Sequence, residues 1–416
     1  MRVVYLNPSG QMGGAELALV DLMASIRSAK ADWELHLIVG ADGPLAGRAT
    51  AIGVSATILP FPNALARLGD AGLGGLASSR TSRAALIGQM LRTGPAVMRY
   101  ARELRSALRC IQPDVIHTNG FKMHVLGARA RPSKSTPIIW HVRDYVGSRP
   151  LMTRLMRFNA SRCAAVVTNS QSVAEDVRVV CGDGVKVYPV LDAIDLEKFS
   201  PVGEKLDLDS LSGLPNVEPG TLRVGLLATM ARWKGHETFL DAMSRLPADL
   251  KIRGYVIGGA LYQTEGSQHS IDELRIRAGQ LGVGDKVGFT GFVDDAPAAM
   301  RALDIVVHAS TQPEPFGLVI AEAMASSRAV IVSKAGGAAE IITDGTNALG
   351  HVPGDASGLA ECITRLATDA ELRKRMGDAG RVTAAEKFDR ARLATELVPI
   401  YTEVISGATG CIEFNL

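Results

Sequence analysis

Short runs of apolar, largely β-branched residues alternate along this chain with longer segments of helical periodicity. In the first half the runs are Val3–Leu6, Leu35–Val39, Val115–His117, Ile138–His141 and Ala165–Thr168. In the second they are Arg223–Leu227, Tyr255–Ile257, Lys286–Phe289, Ile305–His308 and Val330–Val332. Runs that stay apolar, rather than alternating, predict strands buried on both faces, and so parallel sheets covered by helices. Each half therefore reads as a doubly wound, Rossmann-like α/β unit. Residues 201–220 are rich in Pro, Gly and acid and lack periodicity, which predicts a boundary there. The expected division is 1–200, 201–390, and a helical tail over 391–416 packing back toward the first domain. Two such units facing across a cleft would bind a ligand at the carboxyl ends of their strands.

Composition narrows the classes without naming a chemistry. Of 416 residues, 47% are hydrophobic and 21% charged, which excludes disorder and a coiled coil. No uncharged apolar stretch is long enough to span a bilayer. The apolar start, Met1 to Pro8, is too short for a signal peptide and reads as a first strand. Five scattered cysteines without a CxxC spacing predict free thiols and a cytoplasmic protein. Residues 1–200 hold 24 Lys+Arg against 15 Asp+Glu, and the remainder 21 against 28. The basic half should attract something anionic. Arg99, Arg102, Arg105 and Arg109 share one helical face. That face is either a solvated exterior or a surface for anionic lipid head groups, giving peripheral contact with the inner face of a membrane.

Four second-half features carry the candidate chemistry. Strand 222–228 runs into Arg232-Trp233-Lys234-Gly235 ahead of a helix, so both cations can reach a diphosphate, although surface charges would read the same way. Gln312-Pro313-Glu314-Pro315-Phe316-Gly317-Leu318 opens a helix that continues to Glu322 and beyond. Pro315 suits a first helical turn, which predicts Glu314 at the helix mouth and Glu322 two turns deeper. A nucleotide sugar laid along that helix would place its sugar near Glu314 and its ribose near Glu322. Gly336-Gly337 follows a strand as an anion-binding turn would, and Phe292 and Val293 leave another strand where a base could stack.

In the first half, Gly13 and Gly14 open a helix beneath the first strand end and would offer backbone N–H groups to the diphosphate. No GxGxxG is present, which disfavours an NAD site. His117 and His141 end predicted strands, where buried structural histidines are also common.

Together these residues resemble the retaining glycosyltransferases of the GT-B fold, in particular the GT4 family. The resemblance rests on Glu314 to Glu322, seven residues between, inside Glu-Pro-Phe-Gly-Leu-Val-Ile-Ala-Glu, and on Gly13-Gly14-Ala15-Glu16. It implies that Arg232 and Lys234 bind the diphosphate, Glu314 meets the donor sugar and Glu322 the ribose. It further implies that Phe316, Gly317 and Leu318 offer backbone amides, Gly14 approaches the diphosphate, His141 sits at the sugar, and Phe292 and Val293 hold the base. Arg232, Lys234, Glu314 and His141 are then the catalytic set. The implied reaction moves a sugar from a UDP- or GDP-sugar to a glycan or lipid-linked acceptor, without metal, cofactor or nucleic acid. No DxD motif is well placed, since Asp207-Leu208-Asp209 falls in the linker stretch. An epimerase or hydrolase of the same architecture, a non-catalytic sugar-binding subunit and a dehydrogenase are the alternatives.

Overall fold

A computed structural model describes residues 1–62, 83–259 and 267–410. The chain divides into two compact units, Met1–Asp192 with Arg390–Leu416, and Ala193–Asp389. The division thus falls eight residues before the expected boundary at 200.

The first unit runs β1 (Arg2–Asn7), α1 (Gly14–Ala29), β2 (Glu34–Val39), α2 (Pro44–Ala51), β3 (Ser55–Ile58), α3 (Arg83–Ile111), β4 (Val115–Asn119), α4 (Phe121–Ala130), β5 (Ile138–Val142), α5 (Pro150–Asn159), β6 (Ala165–Thr168), α6 (Gln171–Cys181) and β7 (Val187–Pro189). Its sheet is parallel throughout, in the order β3-β2-β1-β4-β5-β6-β7. The order reverses between β1 and β4, so Asn7 and Asn119 end adjacent strands at the switch point, where α/β sheets bind ligands. Val3, Val4, Tyr5 and Leu6 are fully buried, which explains why this strand shows no alternation. The face of α3 carrying Tyr100, Leu104 and Leu108 is buried in the core, whereas Arg99, Arg102, Arg105 and Arg109 are exposed. Residues 63–82, which precede α3, lie outside the described residues.

In the second unit the order is α7 (Leu208–Ser212), β8 (Leu222–Leu227), α8 (His236–Ser244), β9 (Ile252–Ile257), α9 (Ile271–Gln280), β10 (Val287–Gly291), α10 (Ala296–Arg301), β11 (Ile305–His308), α11 (Leu318–Ala325), β12 (Ala329–Ser333), α12 (Gly337–Glu340), β13 (Leu349–His351), α13 (Ala356–Thr368) and α14 (Ala370–Lys387). This sheet is again parallel, ordered β10-β9-β8-β11-β12-β13 with its reversal between β8 and β11. The last helix, α15 (Ala391–Gly410), counts with the first unit. There the Ala394 N–H donates to Ser25 Oγ at 3.0 Å, and Arg392 donates to the Leu191 carbonyl at 2.7 Å.

The stretch read as linker is largely exposed, but it contains one short helix, α7, whose Leu208 and Asp209 are buried. Asp207 caps α7 by accepting from the Ser210 N–H at 3.1 Å. Asp209 is only 1% exposed and accepts from Arg223 and Arg253, each at 2.8 Å, and from Tyr255 at 2.5 Å. Burial alone would raise its pKa, but Tyr255 and the two guanidiniums more than offset that and bring it to about 2. Its stabilising contribution is therefore present above the unfolded Asp value near 3.9 and is lost as pH falls toward 2. Asp209→Asn leaves two cations short of a partner and should cost about 3 kcal/mol at neutral pH, measured by urea unfolding.

Candidate active site

The turn after β8 is shaped by one glycine. Arg232–Lys234 form a single 3₁₀ turn, and Gly235 caps α8 with φ of +79°. A Cβ at Gly235 would stand 1.9 Å from the Ala309 carbonyl oxygen, so only glycine lets the turn lie against the exit of β11. The Thr311 N–H, donating to the Trp233 carbonyl at 2.7 Å, holds the same turn from the β11 side. Gly235→Ala should cost roughly 1–3 kcal/mol, checked by thermal unfolding.

This clamp delivers Lys234 onto Glu314. The ammonium lies 2.9 and 2.8 Å from the two carboxylate oxygens and 4.0 Å from the Trp233 ring centroid. The Ser310 hydroxyl donates to Glu314 Oε2 at 2.8 Å, and His308 Nε2 stands 3.3 Å from it. Burial would raise the Glu314 pKa, yet Lys234 and His308 overcome it and hold the carboxyl well below its usual range. The main chain of Glu314 is pinned as well. Its N–H donates to the Ala335 carbonyl, and its carbonyl accepts from the Ala338 N–H, both at 3.3 Å. The Gly336-Gly337 turn therefore serves as a backbone brace for Glu314.

Helix α11 begins at Leu318, not at Pro315. Gly317, with φ of +94°, is the residue before it, so Glu314 and Pro315 belong to the preceding loop. Only four residues of helix, about 6 Å, separate Leu318 from Glu322, in place of the two turns expected from Glu314. Phe316 is buried with its ring against Phe388 at 5.7 Å, which leaves its backbone as the part a ligand could use. The first N–H groups of α11 have no partner within the helix. Phe292 follows β10 with 64% exposure, and Val293 beside it is half-buried.

The two cations of the Arg-Trp-Lys turn take different partners. Arg232 lies 2.9 Å from Glu273 and 3.2 Å from His269 Nδ1. Glu237, His269 and Glu273 have the spacing of a metal-ligand set. A cation bound there would, however, meet the Arg232 guanidinium on two of the same three groups.

In the first unit, the Gly13 N–H donates to Glu16 Oε2 at 3.1 Å. This capping interaction consumes the amide, so of the expected pair only Gly14, at the exposed first position of α1, remains to meet an anion. His141 lies one residue before the end of β5, whereas His117 sits in the middle of β4, which continues through Thr118 to Asn119 instead of ending at the histidine. His141 Nδ1 is 3.0 Å from His117 Nε2, and both are buried. Arg143 Nη2 approaches His141 Nδ1 at 3.2 Å. Sequence reasoning missed His308, Ser310 and Arg143. The signal that singled out His117 and His141, a polar residue at the carboxyl end of a buried strand, applies equally to His308 and to Ser310 just beyond it.

The two doubly wound units are those of the GT-B fold. Residues 12–198 match the profile described as Glycosyltransferase Family 4, and residues 217–383 that of Glycosyl transferases group 1. The chain belongs to this glycosyltransferase family. Among its curated relatives is the lipopolysaccharide core biosynthesis glycosyltransferase LpsE of Rhizobium meliloti, 29% identical over 57% of this chain and 63% of that protein. Another is the D-inositol 3-phosphate glycosyltransferase of Xylanimonas cellulosilytica, 29% identical over 58% of this chain and 57% of its own length. The matched part is thus under two thirds of either relative. Anabaena HepE, solved in complex with UDP, shares the fold with a TM-score of 0.76 at 24% identity, covering 97% of this chain and 100% of that one. No described helix is long and apolar enough to cross a membrane.

Proposed function

We propose that the protein transfers a sugar from a UDP- or GDP-sugar to a hydroxyl of a glycan or lipid-linked acceptor, with retention of anomeric configuration and without a metal. The observation that carries this reading is the Lys234–Glu314 pair braced beside the N-terminus of α11. An ammonium has three N–H donors, and Glu314 engages two directions of it. The remaining donor and the α11 amides near Gly317 and Leu318 are suited to the charge that grows on a departing diphosphate. In this reading Glu314 meets the sugar, Glu322 the ribose, Phe292 and Val293 the base, and Arg232 adds a second cation. His141 and the Gly14 amide are the first unit's contributions. Contact with an anionic membrane through the exposed arginines of α3 belongs to the same proposal.

The test is product analysis by NMR with UDP- and GDP-sugars, an added acceptor and excess EDTA. A product keeping the donor's anomeric configuration, formed only with acceptor and unaffected by EDTA, is the expected result. Inversion, sugar release without acceptor, or loss of activity on chelation contradicts it.

A further inference from the structure

Buried polar groups of the first unit form one hydrogen-bonded series whose donors and acceptors fix the histidine tautomers. Arginine carries donors only. His141 Nδ1, at 3.2 Å from Arg143 Nη2, is therefore an acceptor without a proton. His117 Nε2 lies 3.0 Å from that same nitrogen and must be the N–H of the pair. His117 Nδ1 is then the acceptor, and Tyr401 Oη, 2.8 Å away on α15, donates to it. The His141 proton is left on Nε2, a buried atom without a hydrogen-bond partner among the described residues.

The arginine that begins this logic is itself immobilised. It is ion-paired with Asp192, and its Nε donates to Asn119 Oδ1 at 3.2 Å. Asn119 donates on to Asn7 at 2.7 Å, and Asn7 to Glu16 at 3.2 Å, the carboxylate that caps α1. The neighbouring His124 is set the other way. Thr118 Oγ1 donates to the Ile139 carbonyl at 3.1 Å, so at 2.7 Å it accepts from His124 Nδ1. Burial, and for His141 and His117 also Arg143, pulls all three imidazoles far below the ordinary histidine range, so each is neutral near pH 7.

We infer that Arg143 and the Tyr401–His117 arm are positioning residues that lock His141 as an Nε2–H donor toward a substrate oxygen. The inference rests on the reading that His141 meets the donor substrate. A neutral imidazole with its proton on Nε2 and its Nδ1 lone pair occupied cannot take the acceptor's proton. That proton must go to a group other than His141.

The experiment is long-range ¹H–¹⁵N correlation of the imidazoles in the histidine-labelled full chain, assigned with His117→Gln, His124→Gln and His141→Gln. His117 and His141 protonated on Nε2, with His124 protonated on Nδ1, is the expected pattern. His141 protonated on Nδ1, or present as imidazolium at pH 7, overturns it, and this measurement on the unsubstituted protein needs no variant to be active. Tyr401→Phe should lower kcat about 10-fold, the worth of one buried hydrogen bond, and leave the donor KM unchanged. A folded Tyr401→Phe protein with kcat within twofold of the parent also overturns the inference. If instead His141→Ala keeps full turnover while the tautomers are as expected, the proposed role of His141 fails and the tautomer assignment stands.

Discussion

Lys234→Met should reduce kcat/KM about 100- to 1000-fold and weaken UDP binding, because it removes the cation best placed for charge developing on a leaving diphosphate. The same substitution strands Glu314. With the ammonium gone, burial becomes the dominant influence on that carboxyl and its pKa rises. The sign of the pH dependence then reverses. In the parent protein the depressed Glu314 contributes stability above the unfolded Glu value near 4.3, and loses it as pH falls below that. In Lys234→Met the raised carboxyl favours the folded state at low pH, and this contribution is lost as pH rises. Denaturant unfolding at pH 4 and pH 7 checks the reversal. A variant that loses activity without it would locate Lys234 near the substrate but not in control of Glu314.

Glu314→Gln should lower kcat at least 100-fold and yet leave UDP affinity equal or higher. The substitution keeps the shape that Ser310 and the 335–338 backbone recognise, while it frees Lys234 of its counter-charge and so favours a diphosphate. Opposite effects of the two substitutions on UDP affinity, with turnover falling in both, separate a shared catalytic pair from a purely structural salt bridge. Calorimetric titration of UDP into each variant, beside steady-state kinetics, provides the comparison. Equal weakening of UDP binding in both would indicate that the pair only holds the loop in place.

Strands such as Val3–Leu6 and Ile305–His308 were legible because both faces are buried and, His308 apart, every position is apolar. The edge strands β3, β7 and β13 were not. They are three or four residues long, and β3 and β7 are half-exposed, so Ser55-Ala56-Thr57-Ile58 shows no pattern a loop would lack. Glu314 was legible as a chemical group but misplaced by the proline beside it, since Pro315 satisfies a helical first turn and Gly317 actually starts the helix. Asp209 looked like linker because acidity and proline mark exposed chain, and nothing local reveals that Arg223, Arg253 and Tyr255 converge on it from β8 and β9. Gly13 was assigned to an anion for want of seeing Glu16 fold back onto its amide. In each case a partner distant in sequence, or a cap closing locally, decides the role of a residue whose type was read correctly. Tyr401, 284 residues from His117, is the extreme example.

The central question is whether Lys234 and the opening of α11 hold the nucleotide's diphosphate. A crystal structure of the protein with UDP or GDP bound measures this directly. The β-phosphate should lie within hydrogen-bonding distance of Lys234 Nζ and of the amides at Gly317 and Leu318, with the ribose at Glu322. A nucleotide bound at full occupancy elsewhere, with the Lys234–Glu314 pair untouched, would contradict it.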